Sequence, residues 1–337
     1  MDLSVIIRAC GAQRHIAACL RSVTRCPRET IDMECIVVSS SAGETAAVVG
    51  RYGERDNRIK LFVMDNGDTS DACNTGIEKA SGRYILFLDA ADRLCEDAWE
   101  QIEAAVEEEY ADLVAFSWIT SRRNGRLKAR MLPISDVIST DESEARRLMY
   151  ADSALSTCGA KLFKSRIIRD NNLFFMPAGA DLDEFDDLYF VTEYFEHCES
   201  YLMTKAMILY CPQKDRGVMK NCGMEERLEM LGKLYDLQAG AAGRCQDDAL
   251  MRSVQVHYLR VLTELFCRSA RENHYVRSAL ETIYAKALEN RFLRDLIDGL
   301  DERWISPGIR RYEYRLFRTG SAAKIRRYFC IKARLQD

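Results

Sequence analysis

Proline is scarce in this chain of 337 residues, with five in all and none between Pro212 and Pro307. That gap permits uninterrupted helices, because proline inside a helix removes a hydrogen bond and clashes with the preceding turn. Histidine is scarcer still: His15, His197, His257 and His274 are scattered, without a second ligand at helical metal spacing, and read as surface or satisfied side chains. None of the thirteen cysteines forms a C-x-x-C pair, which leaves a zinc site or thioredoxin motif unsupported. Their odd number and even spread read as free thiols in a reducing cytoplasm. No apolar run approaches the ~20 residues of a membrane span. No basic region followed by an apolar stretch precedes the first strand, so no secretory signal is expected.

What is present suits a folded enzyme. Hydrophobic residues make up 47% and charged residues 30%, enough for a sizeable core. At roughly 150 residues per domain the length suggests about two domains. A net charge of −4 and a pI near 5.8 argue against nucleic acid as a partner.

The first half alternates short apolar runs with helical patterns. Leu3–Ile7, Cys35–Val38, Ile59–Val63 and Tyr84–Leu88 read as buried strands, and Ile16, Cys19, Leu20 and Val23 as one helix face. A second helix is expected from the capping-box spacing at Ser41–Glu44, a third over Ser70–Ala80, and another from Ser139 to about Ala151. Strands alternating with helices imply an α/β fold around a mostly parallel sheet. Ala111–Ile119 reads as a further strand. After Gly217 the pattern is helical throughout: Glu225–Gln238, Asp247–Ala270 and Tyr275–Leu288, with Leu250, Val254, Val261, Leu262 and Leu265 on one apolar face. The expected organisation is an α/β domain over 1–220, a helical domain over 221–302 and a basic amphipathic tail over 303–337.

That tail carries ten Lys or Arg against two acids, which leaves the preceding 302 residues strongly acidic. Ile325, Tyr328, Phe329, Ile331 and Leu335 share one side of a helical wheel, and Arg326, Arg327 and Arg334 the other. Two readings stand side by side: a helix lying on an anionic membrane surface, or a terminal helix packed on the acidic body with its arginines solvated or paired.

Several blocks, in order and at matching intervals, resemble one known family. Ser4-Val5-Ile6-Ile7 opens like an S-V-I-I-P-x-Y-N strand, and Glu34-Cys35-Ile36-Val37-Val38 stands where a second strand ends in D-D-G-S-T-D. Asn74-Thr75-Gly76-Ile77 through Gly82 follows N-x-G-I-x-x-A-x-G, and Tyr84-Ile85-Leu86-Phe87-Leu88-Asp89-Ala90-Ala91-Asp92 follows Y-I-x-F-L-D-A-D-D. Lys161-Leu162-Phe163 and Asp186-Asp187-Leu188-Tyr189-Phe190 are similar to the K-L-[YF] and E-D-x-x-F blocks. Over roughly residues 3–216 the sequence resembles the family 2 glycosyltransferases. The resemblance implies the GT-A fold, a Rossmann-like nucleotide-sugar-binding domain.

The resemblance further implies an enzyme that transfers a sugar, with inversion, from a nucleotide-diphosphate donor to a hydroxyl of a glycan or lipid-linked acceptor in polysaccharide biosynthesis. Asp187 matches the family's catalytic base. Ser39 and Ser40 occupy the donor turn where the family has carboxylates, with Glu44 the nearest surviving acid; Asn74 and Asp89 are the other donor-site matches. In the family a D-x-D motif holds Mn²⁺ or Mg²⁺. Here Asp89 keeps the first acid, but Ala91 replaces the second and removes a hard oxygen ligand; Asp92, one residue on, would be redirected. Cys73 replaces the arginine before Asn74, and Arg8 stands at the family's proline. Lys214 and Arg216 fall where the family has a basic loop over the donor, and would stand in for missing metal charge. Lys161 is a further candidate phosphate contact. No organic cofactor is expected.

Two functions follow. One is a metal-independent or weakly active glycosyltransferase, cytoplasmic and peripheral at the inner face of the membrane. The other is a catalytically inactive relative that binds a glycan or a partner enzyme through the same cleft.

Overall fold

The computed structural model describes residues 1–9, 15–40, 42–65, 68–107, 111–121, 126–132, 137–139, 157–176, 183–212, 223–244 and 246–336. The chain forms two compact units: Met1–Ala145, Ser153–Gly179 and Asp183–Met219 make up the first, and Arg146–Asp152, Ala180–Leu182 and Lys220–Asp337 the second.

In the first unit, β1 (Leu3–Arg8), β2 (Met33–Ser39), β3 (Ile59–Val63) and β4 (Tyr84–Asp89) are parallel, in the spatial order β3-β2-β1-β4, and alternate with α1 (Ile16–Val23), α2 (Glu44–Gly53) and α3 (Thr69–Lys79). β1, β2 and β4 are buried along almost their whole length. Continuous apolar runs of this kind belong to interior strands of a parallel sheet covered on both faces. Beyond β4 the sheet turns antiparallel through β9 (Lys161–Lys164), then passes to β6 (Leu113–Ser121), β10 (Ser200–Cys211) and the short β5 (Arg93–Leu94). β7 (Leu127–Arg130) pairs with β6, and β8 (Val137–Ser139) with β10. Among the described residues the unit also contains α4 (Ala98–Glu107), α5 (Ser165–Asp170) and α6 (Asp183–His197).

Helix starts differ from expectation in two places. α2 begins at Glu44 behind Gly43, which has no side-chain cap. The capping box is found instead on α3, where the Asp68 side chain accepts from the Asp71 amide and Asp71 returns the bond to the Asp68 amide. The helix expected to run on from Ser139 to Ala151 lies outside the described residues.

Two glycines of the Asn74–Gly82 block set the distance between α3 and β1. A Cβ on Gly76 would lie 2.3 Å from Ile6 Cγ2, and one on Gly82 would lie 2.5 Å from the Ser4 amide nitrogen. The glycine spacing therefore lets helix and turn pack directly onto the strand that ends in Arg8.

The second unit contains α7 (Met224–Arg244), α8 (Asp248–Glu272), α9 (Arg277–Glu289), α10 (Arg291–Gly299), α11 (Ile309–Arg318) and α12 (Ala322–Gln336). Of the face expected on α8, Leu250, Val254, Leu262 and Leu265 are buried and Val261 is half-buried. The basic segment over 303–337 is mostly helical and is built into this unit. Phe317 and Phe329 pack on Phe266 with ring centroids 5.0 and 5.4 Å away, and buried Glu313 accepts from Tyr328 at 2.8 Å and Lys332 at 2.5 Å. On the expected apolar side of α12, Ile325 and Phe329 are buried whereas Ile331 and Leu335 face solvent.

Candidate active site

β1 is apolar up to its last residue, Arg8, which is the register partner of Asp89 at the carboxyl end of neighbouring β4. The Arg8 guanidinium donates through Nε to Asp89 Oδ1. It also grips Asp187 in a fork, with Nη1 2.7 Å from Oδ1 and Nη2 3.3 Å from Oδ2. All three side chains are largely buried, at 11%, 18% and 7% exposure for Arg8, Asp89 and Asp187. Burial alone would disfavour the arginine's charge. Asp187 and Asp89 outweigh it and hold the guanidinium pKa well above its ordinary value.

Asp187 reaches this cluster because of how α6 is anchored. The helix starts at Asp183, so Asp187 lies in its second turn. Phe190, one turn further on the same face, stacks on Phe175 at 4.2 Å and meets Phe87 and Phe163 edge-on at 5.6 and 5.5 Å. The aromatic positions of the Y-I-x-F-L-D, K-L-[YF] and E-D-x-x-F blocks thus converge in one cluster that fixes the acid's direction. The Cys158 amide adds a hydrogen bond to Asp187 Oδ2 at 3.0 Å. A carboxylate offers about four lone-pair sites. Arg8 and Cys158 occupy two on Oδ2 and Arg8 one on Oδ1, so among the described residues Oδ1 is the atom with acceptor capacity to spare.

The other candidates divide. Ser39 is buried at the end of β2 and Ser40 half-buried just beyond it, two strand ends from Asp89. Glu44 is exposed on the first turn of α2. Asn74 does not point its amide toward a donor: Nδ2 donates to the Phe175 carbonyl at 2.8 Å and Oδ1 accepts the Phe175 amide at 2.7 Å. It braces the segment carrying the stacked phenylalanine. Ala91 lies in the turn after β4, and Asp92 accepts the Asp89 amide across that turn at 3.3 Å. Cys73 sits 3.9 Å from Arg8 Nη1, and burial pushes its thiol up to about 12 in spite of the cation, so it fills space and is not activated. Lys161 is buried, its ammonium 2.6 Å from the Thr157 carbonyl. Lys214 and Arg216 lie outside the described residues. Among the described residues no group of three or more His, Cys, Asp or Glu side chains is arranged to hold a metal ion.

Arg8 is the residue that sequence reasoning undervalued. Its signal was present: a single cation closing an apolar strand whose neighbour closes with an aspartate.

A parallel β-α-β sheet extended by antiparallel strands, with acids gathered at the carboxyl ends of its strands, defines a GT-A-type domain. The whole chain superimposes on residues 1–349 of Staphylococcus aureus TarS in complex with UDP-GlcNAc, with a TM-score of 0.71 and 16% identity, covering 100% of this chain and 93% of that one. The sequence profile of glycosyl transferase family 2 matches residues 4–170. The matched part, just under half of the chain, is therefore a divergent glycosyl transferase family 2 domain. Among relatives, glycosyltransferase EpsH of Bacillus subtilis is 24% identical over 209 residues, 60% of this chain and 58% of its own length. The poly(ribitol-phosphate) beta-N-acetylglucosaminyltransferase TarP of S. aureus is 24% identical over 202 residues, 59% of each chain. The aligned region thus spans under two thirds of these relatives.

Proposed function

We propose that the first unit transfers a sugar from a nucleotide diphosphate to a hydroxyl of a glycan or polyol-phosphate polymer, with inversion. The observation that carries this reading is the convergence of Asp89 and Asp187 where ligands bind in open α/β sheets, at the carboxyl ends of the parallel strands. TarS, of the same fold, is seen with UDP-GlcNAc, and TarS and TarP carry the name of polymer glycosyltransferases, which supports this donor and acceptor class. In the reaction, Asp187 Oδ1 takes the proton of the acceptor hydroxyl as its oxygen attacks the anomeric carbon. The bond from that carbon to the diphosphate breaks, and the nucleoside diphosphate departs with the electron pair.

A thermal-shift titration with UDP, GDP, CDP and dTDP, each with Mn²⁺, Mg²⁺ or EDTA, tests the reading. A ligand at about 100 times its Kd adds ~2.7 kcal/mol, a shift of several degrees at roughly 2–4 °C per kcal/mol or somewhat less. A shift with one nucleotide leads directly to a hydrolysis and transfer assay with its sugars. Absence of any shift favours the second reading, a silent glycan- or enzyme-binding relative. The specific observation on that side is that Arg8 holds both oxygens of the expected base.

We further propose that the second unit rests on anionic membrane at the cytoplasmic face. Ile309, Tyr312, Ile331 and Leu335 are exposed on α11 and α12 beside exposed Arg310, Lys324 and Arg327, and the Tyr312 ring meets Tyr328 at 5.3 Å. Exposed apolar side chains flanked by cations are what an anionic interface binds. No described helix is long and apolar enough to cross a membrane.

A further inference from the structure

The family implies a divalent cation at Asp89, and the residues present do not fit one. Ala91 supplies no side-chain oxygen, Asp92 accepts the backbone amide of Asp89, and Asp89 itself accepts from a buried guanidinium. A hard cation such as Mn²⁺ or Mg²⁺ takes about six oxygen ligands, usually with one or two carboxylates, and a positive charge already lies between the two acids that could serve. We propose that Arg8 is a built-in cation that takes the metal's place: it bridges Asp89 and Asp187, holds them at fixed separation, and makes the site refuse a divalent ion.

Three observations carry this. The register places Arg8 and Asp89 side by side, so the bridge follows from the sheet and not from a chance rotamer. The fork to Asp187 is bidentate, the geometry in which a guanidinium orients a carboxylate that a spherical ion would leave free to rotate. The cluster is also buried, so the pairing is poorly screened by solvent. Arg8 is thus a positioning residue acting through Asp187, leaving Oδ1 as the acceptor. One negative charge remains on the three-residue cluster, so the donor's phosphates must meet their counter-charge elsewhere on the protein. The proposal rests on the glycosyltransferase reading for its purpose, but its metal prediction does not.

The first test is Mn²⁺ binding, read by loss of the free-ion EPR signal, with no nucleotide present. Wild type is expected to leave millimolar Mn²⁺ free. Arg8→Met combined with Ala91→Asp is expected to bind it at least about tenfold more tightly, the change that 1.4 kcal/mol of recovered ion pairing gives. Wild-type binding that Asp89→Asn abolishes would overturn the proposal, whatever the variants do. So would a folded double variant that binds no better than wild type. Should that variant fail to fold, Ala91→Asp alone replaces it: it restores the missing carboxylate but keeps Arg8 and is expected to leave Mn²⁺ free, and tight Mn²⁺ binding by it would overturn the proposal. In the nucleotide titration, wild type should shift equally with EDTA and Mn²⁺; a wild-type shift that requires Mn²⁺ overturns the proposal. If no nucleotide shifts any protein while the Mn²⁺ results hold, the donor reading fails and the built-in cation stands.

Discussion

Arg8 and Asp89 close neighbouring parallel strands in register, and their side chains form a buried ion pair that extends to Asp187, 179 residues away in the sequence. One guanidinium therefore ties the parallel part of the sheet to α6. Removing it leaves two buried carboxylates without a counter-charge, and breaking such a pair costs about 3–5 kcal/mol. Arg8→Met should lower the urea midpoint accordingly, and adding Asp187→Asn should recover part of the loss as a positive coupling. An Arg8→Met protein as stable as wild type would show that the three side chains are not paired in solution.

Asp187→Asn separates chemistry from binding. The variant keeps the shape of the site but cannot take a proton, so transfer should fall about 10²–10⁴-fold. The nucleotide-dependent thermal shift should persist. Equal loss of both would mean that Asp187 only braces the site through Arg8 and the Cys158 amide.

The strands and the α3 block were legible because their signals are local: continuous apolar runs, and glycines where a helix must lie against a strand. The place of Asp187 beside Arg8 and Asp89 was legible only through the block carrying Phe190, since the aromatic cluster that orients it joins residues from 87 to 194. The partner of Asn74 was not legible, because the sequence cannot show that Phe175, a hundred positions away, takes up both ends of its amide. Arg8 was seen as a lost proline and not as a gained cation for the same reason: its meaning depends on the register with β4, and a long-range pairing is not written in either strand alone.

Gly82→Ala tests the close approach at the foot of β1. The added Cβ would meet the backbone, at 2.5 Å from the Ser4 nitrogen and 2.6 Å from the Leu3 carbonyl carbon, and neither atom is the end of a flexible side chain. Overpacking of this kind costs ~1–3 kcal/mol. Gly50→Ala, on α2 with nothing within 4 Å, is the control and should stabilise by up to about 1 kcal/mol. Denaturation midpoints moving in the same direction for both would contradict the packing of α3 and its following turn on β1.

Glu34 predicts a pH dependence. It is buried on β2, which alone would raise its pKa. Hydrogen bonds from Lys60, Ser81 and Ser4 outweigh burial and hold the carboxyl at about 2. A group with a depressed folded-state pKa contributes stability above its unfolded pKa and loses it as pH falls through the folded one. Wild type should therefore weaken progressively from about pH 4.5 toward pH 2, and Glu34→Gln should show a shallower slope over that window. At neutral pH the same variant should be less stable by ~1–3 kcal/mol, the usual cost of losing charge-assisted bonds at a buried acceptor. Parallel pH profiles for the two proteins would remove Glu34 from the account.

The membrane proposal calls for point charges and not for deletion of residues 303–337. Phe317, Ile325 and Phe329 are buried in the second unit, and Glu313 is satisfied by Tyr328 and Lys332, so truncation would open the core and confuse unfolding with loss of binding. Ile331 and Leu335, at 55% and 83% exposure, can be changed without that consequence. Ile331→Glu with Leu335→Glu should keep the thermal midpoint while abolishing sedimentation with phosphatidylserine vesicles. Lys324→Gln with Arg327→Gln should weaken it by ~1 kcal/mol per charge, and more so at low salt, where screening is least. Binding to neutral vesicles as strong as to anionic ones would exclude the electrostatic part of the argument. Wild-type protein that stays in the supernatant with both vesicle types would assign the exposed cations to solvent.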